Sequence, residues 1–211
     1  MPEFQNLVAW TRTGFAFASI VLLGLLSVQA SAATRFGAKL DNQTQPSNAG
    51  NGHFCFENPT FPGVTCSWVL EDAFQREFPP GTNGHLAPKA GTIAHIRLIA
   101  CAPGTFVLQV GPASGRTTKK AKARRSGPVI NYKGDPLHCS GDTFQIETFN
   151  VNVPVLKNDY LMVYANKVGF LRCSSGGDNT LLYNPALKVG NALQSLGSDD
   201  GCWLLIEGKI K

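Results

Sequence analysis

From Ser67 onward the apolar residues recur at every second position, in short runs broken by glycine, proline, asparagine and aspartate. A period of two puts alternate side chains on opposite faces of an extended strand, and no helix can present such a pattern as one apolar stripe. Thr92 to Cys101 is the cleanest case. Ala94, Ile96, Leu98 and Ala100 share one face, and His95 and Arg97 take the other. Thr105 to Val110 repeats the pattern with Phe106, Leu108 and Val110. Further runs follow at Val129–Tyr132, Thr143–Val153, Tyr160–Ala165, Phe170–Cys173, Thr180–Tyr183 and Cys202–Glu207, and Ser67–Leu70 precedes them. In Thr143–Val153 the apolar parity changes between Ile146 and Phe149, which predicts a bulge near Glu147-Thr148. Leu156-Lys157-Asn158-Asp159 reads as a hairpin turn. Asn184–Ser195 has room for one helical turn at most, because Pro185 and Gly190 interrupt it. The pattern predicts an all-β protein, an antiparallel β-sandwich of eight or nine strands.

The N-terminus carries the features of an export signal. Arg12 supplies a positive charge, Gly14 to Val28 is uncharged and apolar, and Ala30-Ser31-Ala32 is a small-residue cleavage site. An uncleaved anchor is the alternative, since no charge occurs between Thr13 and Thr34. The expected organisation is a signal peptide over 1–32, a flexible polar lead-in over 33–53 and a β-sandwich domain over 54–211. The lead-in carries one sequon, Asn42-Gln43-Thr44. No later stretch is long and apolar enough to span a bilayer. A secreted or extracytoplasmic location in the cell envelope follows as the expectation.

All six cysteines lie after the signal. An even number in an exported chain reads as a disulfide framework, and six cysteines allow fifteen connectivities. Pairing nearest neighbours along the chain gives Cys55–Cys66, Cys101–Cys139 and Cys173–Cys202. No C-x-x-C pair or histidine spacing points to structural zinc.

Four groups of residues could carry function. The first is a run of cations, Arg116, Lys119, Lys120, Lys122, Arg124 and Arg125, bracketed by Gly115 and Gly127. Removing these six charges takes the formal net charge from +5 to −1, so they set the sign of the molecule. The run reads either as an arm for an anionic surface polymer or as a solvated loop, mobile and dispensable for folding, with nothing larger than Ala121 and Ala123 to bury. No aromatics interleave with the cations, which argues against specific nucleic-acid binding. The second group is aromatic. If Leu161, Val163 and Ala165 face the core, Tyr160 and Tyr164 face outward, and with Tyr183 they could stack on sugar rings or simply pair across strands. Trp68 and Trp203 lie beside half-cystines, which favours core packing. The third is Asp199-Asp200-Gly201, a turn whose carboxylates are weak candidates for calcium. The fourth is catalytic. His95, Asp135 or Asp142, and Ser175 follow the order of a trypsin-like triad, but the Gly-Asp expected before the serine is replaced by Cys173-Ser174. Glu71-Asp72, Asp199-Asp200 and Glu207 could form a carboxylate pair for glycoside hydrolysis.

Residues 88–164 resemble a pattern found in exported bacterial proteins of unknown function. The matching residues are Ala90-Gly91-Thr92-Ile93 with Arg97, then Gly104-Thr105-Phe106-Val107-Leu108-Gln109-Val110, then Val155 with Asp159-Tyr160-Leu161. The resemblance covers under half of the expected mature chain. It implies a jelly-roll-like sandwich and transfers no catalytic residue. Together these readings lead to an extracellular, non-catalytic binding or surface-associated protein without a cofactor, glycans being the favoured ligand. A secreted hydrolase using Ser175 or the carboxylates, and a purely structural envelope protein, are the alternatives.

Overall fold

The computed structural model describes residues 34–38, 40, 53–55, 64–71, 84–114, 119–139, 145–173, 180–195, 198–200 and 202–211. Twelve strands of three residues or more occur among them: β1 (Thr34–Gly37), β2 (Cys66–Leu70), β3 (Gly91–Leu98), β4 (Gly104–Gly111), β5 (Arg125–Tyr132), β6 (Glu147–Val155), β7 (Tyr160–Ala165), β8 (Leu171–Cys173), β9 (Thr180–Tyr183), β10 (Ser198–Asp200), β11 (Cys202–Leu204) and β12 (Ile206–Ile210). The single helical element described is a 3₁₀ turn, Pro136–Cys139. Ten of the strands build two antiparallel sheets. One has four strands in the order β1-β12-β3-β6, and the other six in the order β10-β9-β2-β7-β4-β5.

The alternation seen in the sequence becomes the core. Phe36, Ile93, Ile96, Leu98, Val151, Val153, Val155, Ile206 and Ile210 point inward from the four-stranded sheet. Trp68, Leu70, Phe106, Leu108, Val110, Ile130, Tyr132, Leu161 and Val163 meet them from the six-stranded sheet. Two sheets joined by one apolar layer make a β-sandwich. Within that layer the rings of Phe106, Tyr132 and Phe170 lie 5.1–5.9 Å apart, tilted or edge-on. The Tyr132 hydroxyl accepts a hydrogen bond of 2.9 Å from the Gly169 N–H, which satisfies both groups in a buried place.

Four expectations about the strands need correction. The segment Thr34–Gly37 is not a flexible lead-in. It pairs with β12 in register Thr34↔Ile210 to Gly37↔Glu207 and buries Phe36 completely. Phe36 lies opposite Gly208, where a Cβ would stand 2.9 Å from the ring, so the ring covers a gap that only glycine leaves open. The bulge falls elsewhere than Glu147-Thr148. The β3–β6 register shifts between Ile93 and His95, where Val151 and Asn152 oppose Ala94 alone. The parity change read at Ile146 arises because Ile146 lies just before the strand. Residues 156–159 do not close a hairpin, because β6 and β7 belong to different sheets. Asn158 takes φ +68° there, and Asp159 caps the corner by accepting the Leu156 N–H at 2.9 Å. Last, Asp199-Asp200 is strand rather than turn, with Asp199 opposite Leu181 and Asp200 opposite Thr180.

The disulfide Cys55–Cys66 is present, with the Cα atoms 5.5 Å apart. Cys101 and Cys202 each take part in a disulfide as well. Cys173 stands opposite Cys202 in the β8–β11 ladder.

Candidate functional site

Over β9, β2 and β7 the outer face of the six-stranded sheet is not open to solvent, whereas Val129 on β5 is exposed. A second apolar layer covers it, formed by Val69, Tyr160, Met162, Leu181 and Tyr183 from the sheet and by Ala121, Ala123 and Leu187 from the segments lying over it. The parity read from the sequence holds: Leu161 and Val163 face the main core, and Tyr160 and Met162 face away from it. The inference of a solvent-facing tyrosine row does not. Tyr160 is buried, Tyr183 is fully buried and Tyr164 is half-buried. Burial is the main cause that raises the Tyr160 pKa, with the nearby Glu71 carboxylate adding to it. The His85 ring lies 5.6 Å from that of Tyr160. The cover is pinned by a buried polar knot. Ser67 Oγ donates to Gln109 Oε1 at 3.2 Å and accepts from the Leu187 N–H at 3.0 Å. Gln109 Nε2 donates to the Leu187 carbonyl at 3.2 Å and to Ser126 Oγ at 3.3 Å.

The cation run supplies the other half of this cover. After β4 the chain turns back at Pro112, and Lys120–Ala121 pairs on one side with Ala113–Ser114 and on the other with Gln194–Ser195. The Lys122 N–H then donates to the Pro112 carbonyl at 3.2 Å, and the Arg124 N–H to the Val110 carbonyl at 2.8 Å. This return path runs so close to β4 that a Cβ on Gly111 would stand 2.1 Å from the Lys122 carbonyl oxygen, so only glycine fits. Ala121 and Ala123 are 0% and 1% exposed. Between and beside them, Lys120 and Arg125 are exposed, and Lys119, Lys122 and Arg124 are half-buried. The expectation of a mobile loop that buries nothing is therefore wrong for residues 119–125. Alanine is small, but on an extended ribbon two alanines suffice to seat it flat on a sheet. Arg116 lies outside the described residues.

One cation is tied down electrostatically. Arg124 Nη1 lies 3.2 Å from Asp159 Oδ1, with the Asp159 side chain 2% exposed. Asp159 also fixes the β6–β7 corner, so this pair couples the ribbon to the sandwich. The remaining cations point to solvent without an ion-pair partner among the described residues, apart from interactions of Lys119. Arg125 Nη1 donates only to the Arg124 carbonyl, at 3.0 Å. The result is a fixed row of cations on a structured ribbon rather than a tail.

The other candidates are not brought together. His95 sits within β3 opposite Lys209 and Asn150. Asp135 accepts the Leu137 N–H at 2.8 Å and closes a local turn. Ser175, Asp142 and Asp72 lie outside the described residues, as do the side chains of Asp199 and Asp200. Glu207 is buried and occupied by arginine: Arg97 Nη1 lies 2.8 Å and Arg35 Nη1 3.6 Å from its Oε1. Trp68 is fully buried in the core and Trp203 is also buried. No family model matches the chain, and no curated protein or solved structure matches it either.

Proposed function

We propose that this chain is an extracytoplasmic, non-catalytic β-sandwich protein that binds a polyanionic glycan through the ribbon of residues 119–125. The observation that carries the reading is the seating of that ribbon. Its alanines are buried on the sheet, Lys120–Ala121 is paired on both sides, and Lys120, Lys122 and Arg125 are left without an ion-pair partner among the described residues. Cations presented this way lose little conformational entropy on meeting a polyanion, whereas those of a floppy loop lose more. The buried tyrosines remove the stacking platform for neutral sugars, so charge is the recognition element that remains.

A jelly roll is the fold proposed for this function. From β1 to β7 the chain changes sheet at every step except the β4–β5 hairpin, and β12 returns it to the four-stranded sheet. The two orders β1-β12-β3-β6 and β2-β7-β4-β5, with β9 and β10 added beyond β2, support the jelly-roll reading. It is also the fold implied by the resemblance over 88–164. The disulfide is compatible with a location outside the cytoplasm. Among the described residues no helix is long and apolar enough to cross a membrane.

The test is retention of the exported protein on heparin across a salt series. Wild type should bind with log affinity falling steeply against log salt concentration, and the variant Lys120→Ser/Lys122→Ser/Arg125→Ser should lose about one unit of that slope per cation removed. Equal, salt-independent retention of both proteins would refute the reading.

A further inference from the structure

The outer face of the four-stranded sheet carries a second row of cations, assembled from residues far apart in the chain. The ladders place Arg35 opposite Lys209, Lys209 opposite His95, and His95 opposite Asn150. One line of side chains therefore crosses all four strands, and with neighbouring strands about 4.8 Å apart it spans roughly 14 Å. Like charges directly opposite each other weaken a sheet, so the Arg35–Lys209 pair costs stability where it stands. Among the described residues the side chains of Lys209, His95 and Asn150 make no hydrogen bond or ion pair, although Lys209 and His95 are half-buried.

The adjacent register shows how the row is held. Arg97, opposite Glu207 on one side and Thr148 on the other, donates to Glu207 Oε1 at 2.8 Å and to the Leu40 carbonyl at 3.3 Å. The buried Glu207 draws Arg35 toward the same oxygen at 3.6 Å. One carboxylate thus orients two guanidinium groups and leaves the face with an excess of positive charge. Along the β6 edge, Thr148, Asn150 and Asn152 are exposed and uncharged. The face therefore grades from cations at β1 and β12 to hydroxyl and amide groups at β6.

We propose that this face binds a short acidic oligosaccharide of the uronate type, its carboxylates on Arg35 and Lys209 and its hydroxyls on Asn150 and Thr148. A line that mixes cations with amides suits a ligand that mixes carboxylates with hydroxyls, and its length suits an oligomer rather than a single small anion. The site is separate from the ribbon on the opposite sheet, so it stands or falls independently of the ribbon reading.

The experiment is a titration of the exported protein, isotope-labelled for amide NMR, with tetragalacturonate, alongside a neutral tetrasaccharide and inorganic phosphate. Tetragalacturonate should shift amide signals of Arg35, His95, Asn150 and Lys209 in wild type. The variant Arg35→Ser/Lys209→Ser should bind at least tenfold more weakly and remain folded, because Arg97 still pairs with Glu207 at 2.8 Å. The ribbon variant Lys120→Ser/Lys122→Ser/Arg125→Ser should keep the amide shifts at Arg35, His95, Asn150 and Lys209, whatever it loses at the ribbon. Shifts confined to the ribbon, unchanged affinity in Arg35→Ser/Lys209→Ser, equal binding of the neutral tetrasaccharide, or equal binding of phosphate would each overturn the proposal.

Discussion

Arg124 and Lys120 are four positions apart on one ribbon, yet their replacement has different consequences. Arg124 faces a carboxylate that is almost fully buried, while Lys120 faces water. Removing Arg124 leaves Asp159 as a buried charge held only by the Leu156 N–H. Breaking a buried pair costs about 3–5 kcal/mol, and the partial exposure of Arg124 reduces this to roughly 1–3 kcal/mol. Arg124→Ala should therefore lower Tm by about 3–10 °C, whereas Lys120→Ser/Lys122→Ser/Arg125→Ser should move it by less than about 2 °C. Differential scanning calorimetry separates the two, and equal shifts would show that the ion pair does not anchor the ribbon. Tyr132 makes a prediction in alkali. Burial pushes its pKa from the ordinary 10.0 up to about 12, with the Gly169 N–H opposing the shift. The folded state holds the proton longer than the unfolded chain, so this contribution to stability is complete below pH 10 and is lost as pH rises toward 12. Base titration followed at the tyrosinate absorbance should show late ionisation, with Tyr132 contributing to it, that coincides with unfolding. In Tyr132→Phe the late step should lose one tyrosine's amplitude, with a stability loss of about 1–3 kcal/mol at neutral pH from the unpaired Gly169 N–H.

At the scale of elements, the strands with large alternating residues were legible and those built from small ones were not. Phe106, Leu108 and Val110 announce β4 because each buries a large apolar area. Lys120-Ala121-Lys122-Ala123-Arg124 has the same period of two, but alanine carries little hydrophobic signal and the charges read as solvated. The signal that could have found the ribbon was the alternation itself, together with Pro112 and Gly111 ahead of it. The first strand was missed for a related reason. Thr34–Gly37 holds one large apolar residue, so no periodicity is visible, and its place depends on Gly208, far along the chain. Phe36→Ala should destabilise the protein by about 3–5 kcal/mol, as expected for emptying a buried ring site. Urea unfolding checks this, and a loss below about 1 kcal/mol would mean that β1 is a dispensable flap.

At the scale of the molecule, the class of fold was readable because period-two alternation and glycine-proline punctuation are local properties. The pairing of the sheets was not, since it follows from which strands share a buried layer, and that is decided over long sequence separations. The tyrosine row shows the same limit. Residues 160–165 fix which side chains leave the main core, but only residues 181–187 and 121–123 decide that a second layer lies on top. The turn at 157–158 was recognised by its Lys-Asn-Asp chemistry, while the sheets it joins were set elsewhere.

The order β1-β12-β3-β6 also bears on how the protein is made. The last strand described fills an interior slot, flanked by the first strand and by β3. Until residues 206–210 emerge from the ribosome, β1 has no ladder partner among the described strands and β3 exposes a bare edge. Open edges invite pairing with other chains. Contacts between such distant segments also slow folding, because their loop-closure entropy must be met before they form. A nascent chain that cannot close its sheet early keeps these edges open until its closing strand is made, so slowing synthesis ahead of residues 206–210 lengthens the time it can mispair.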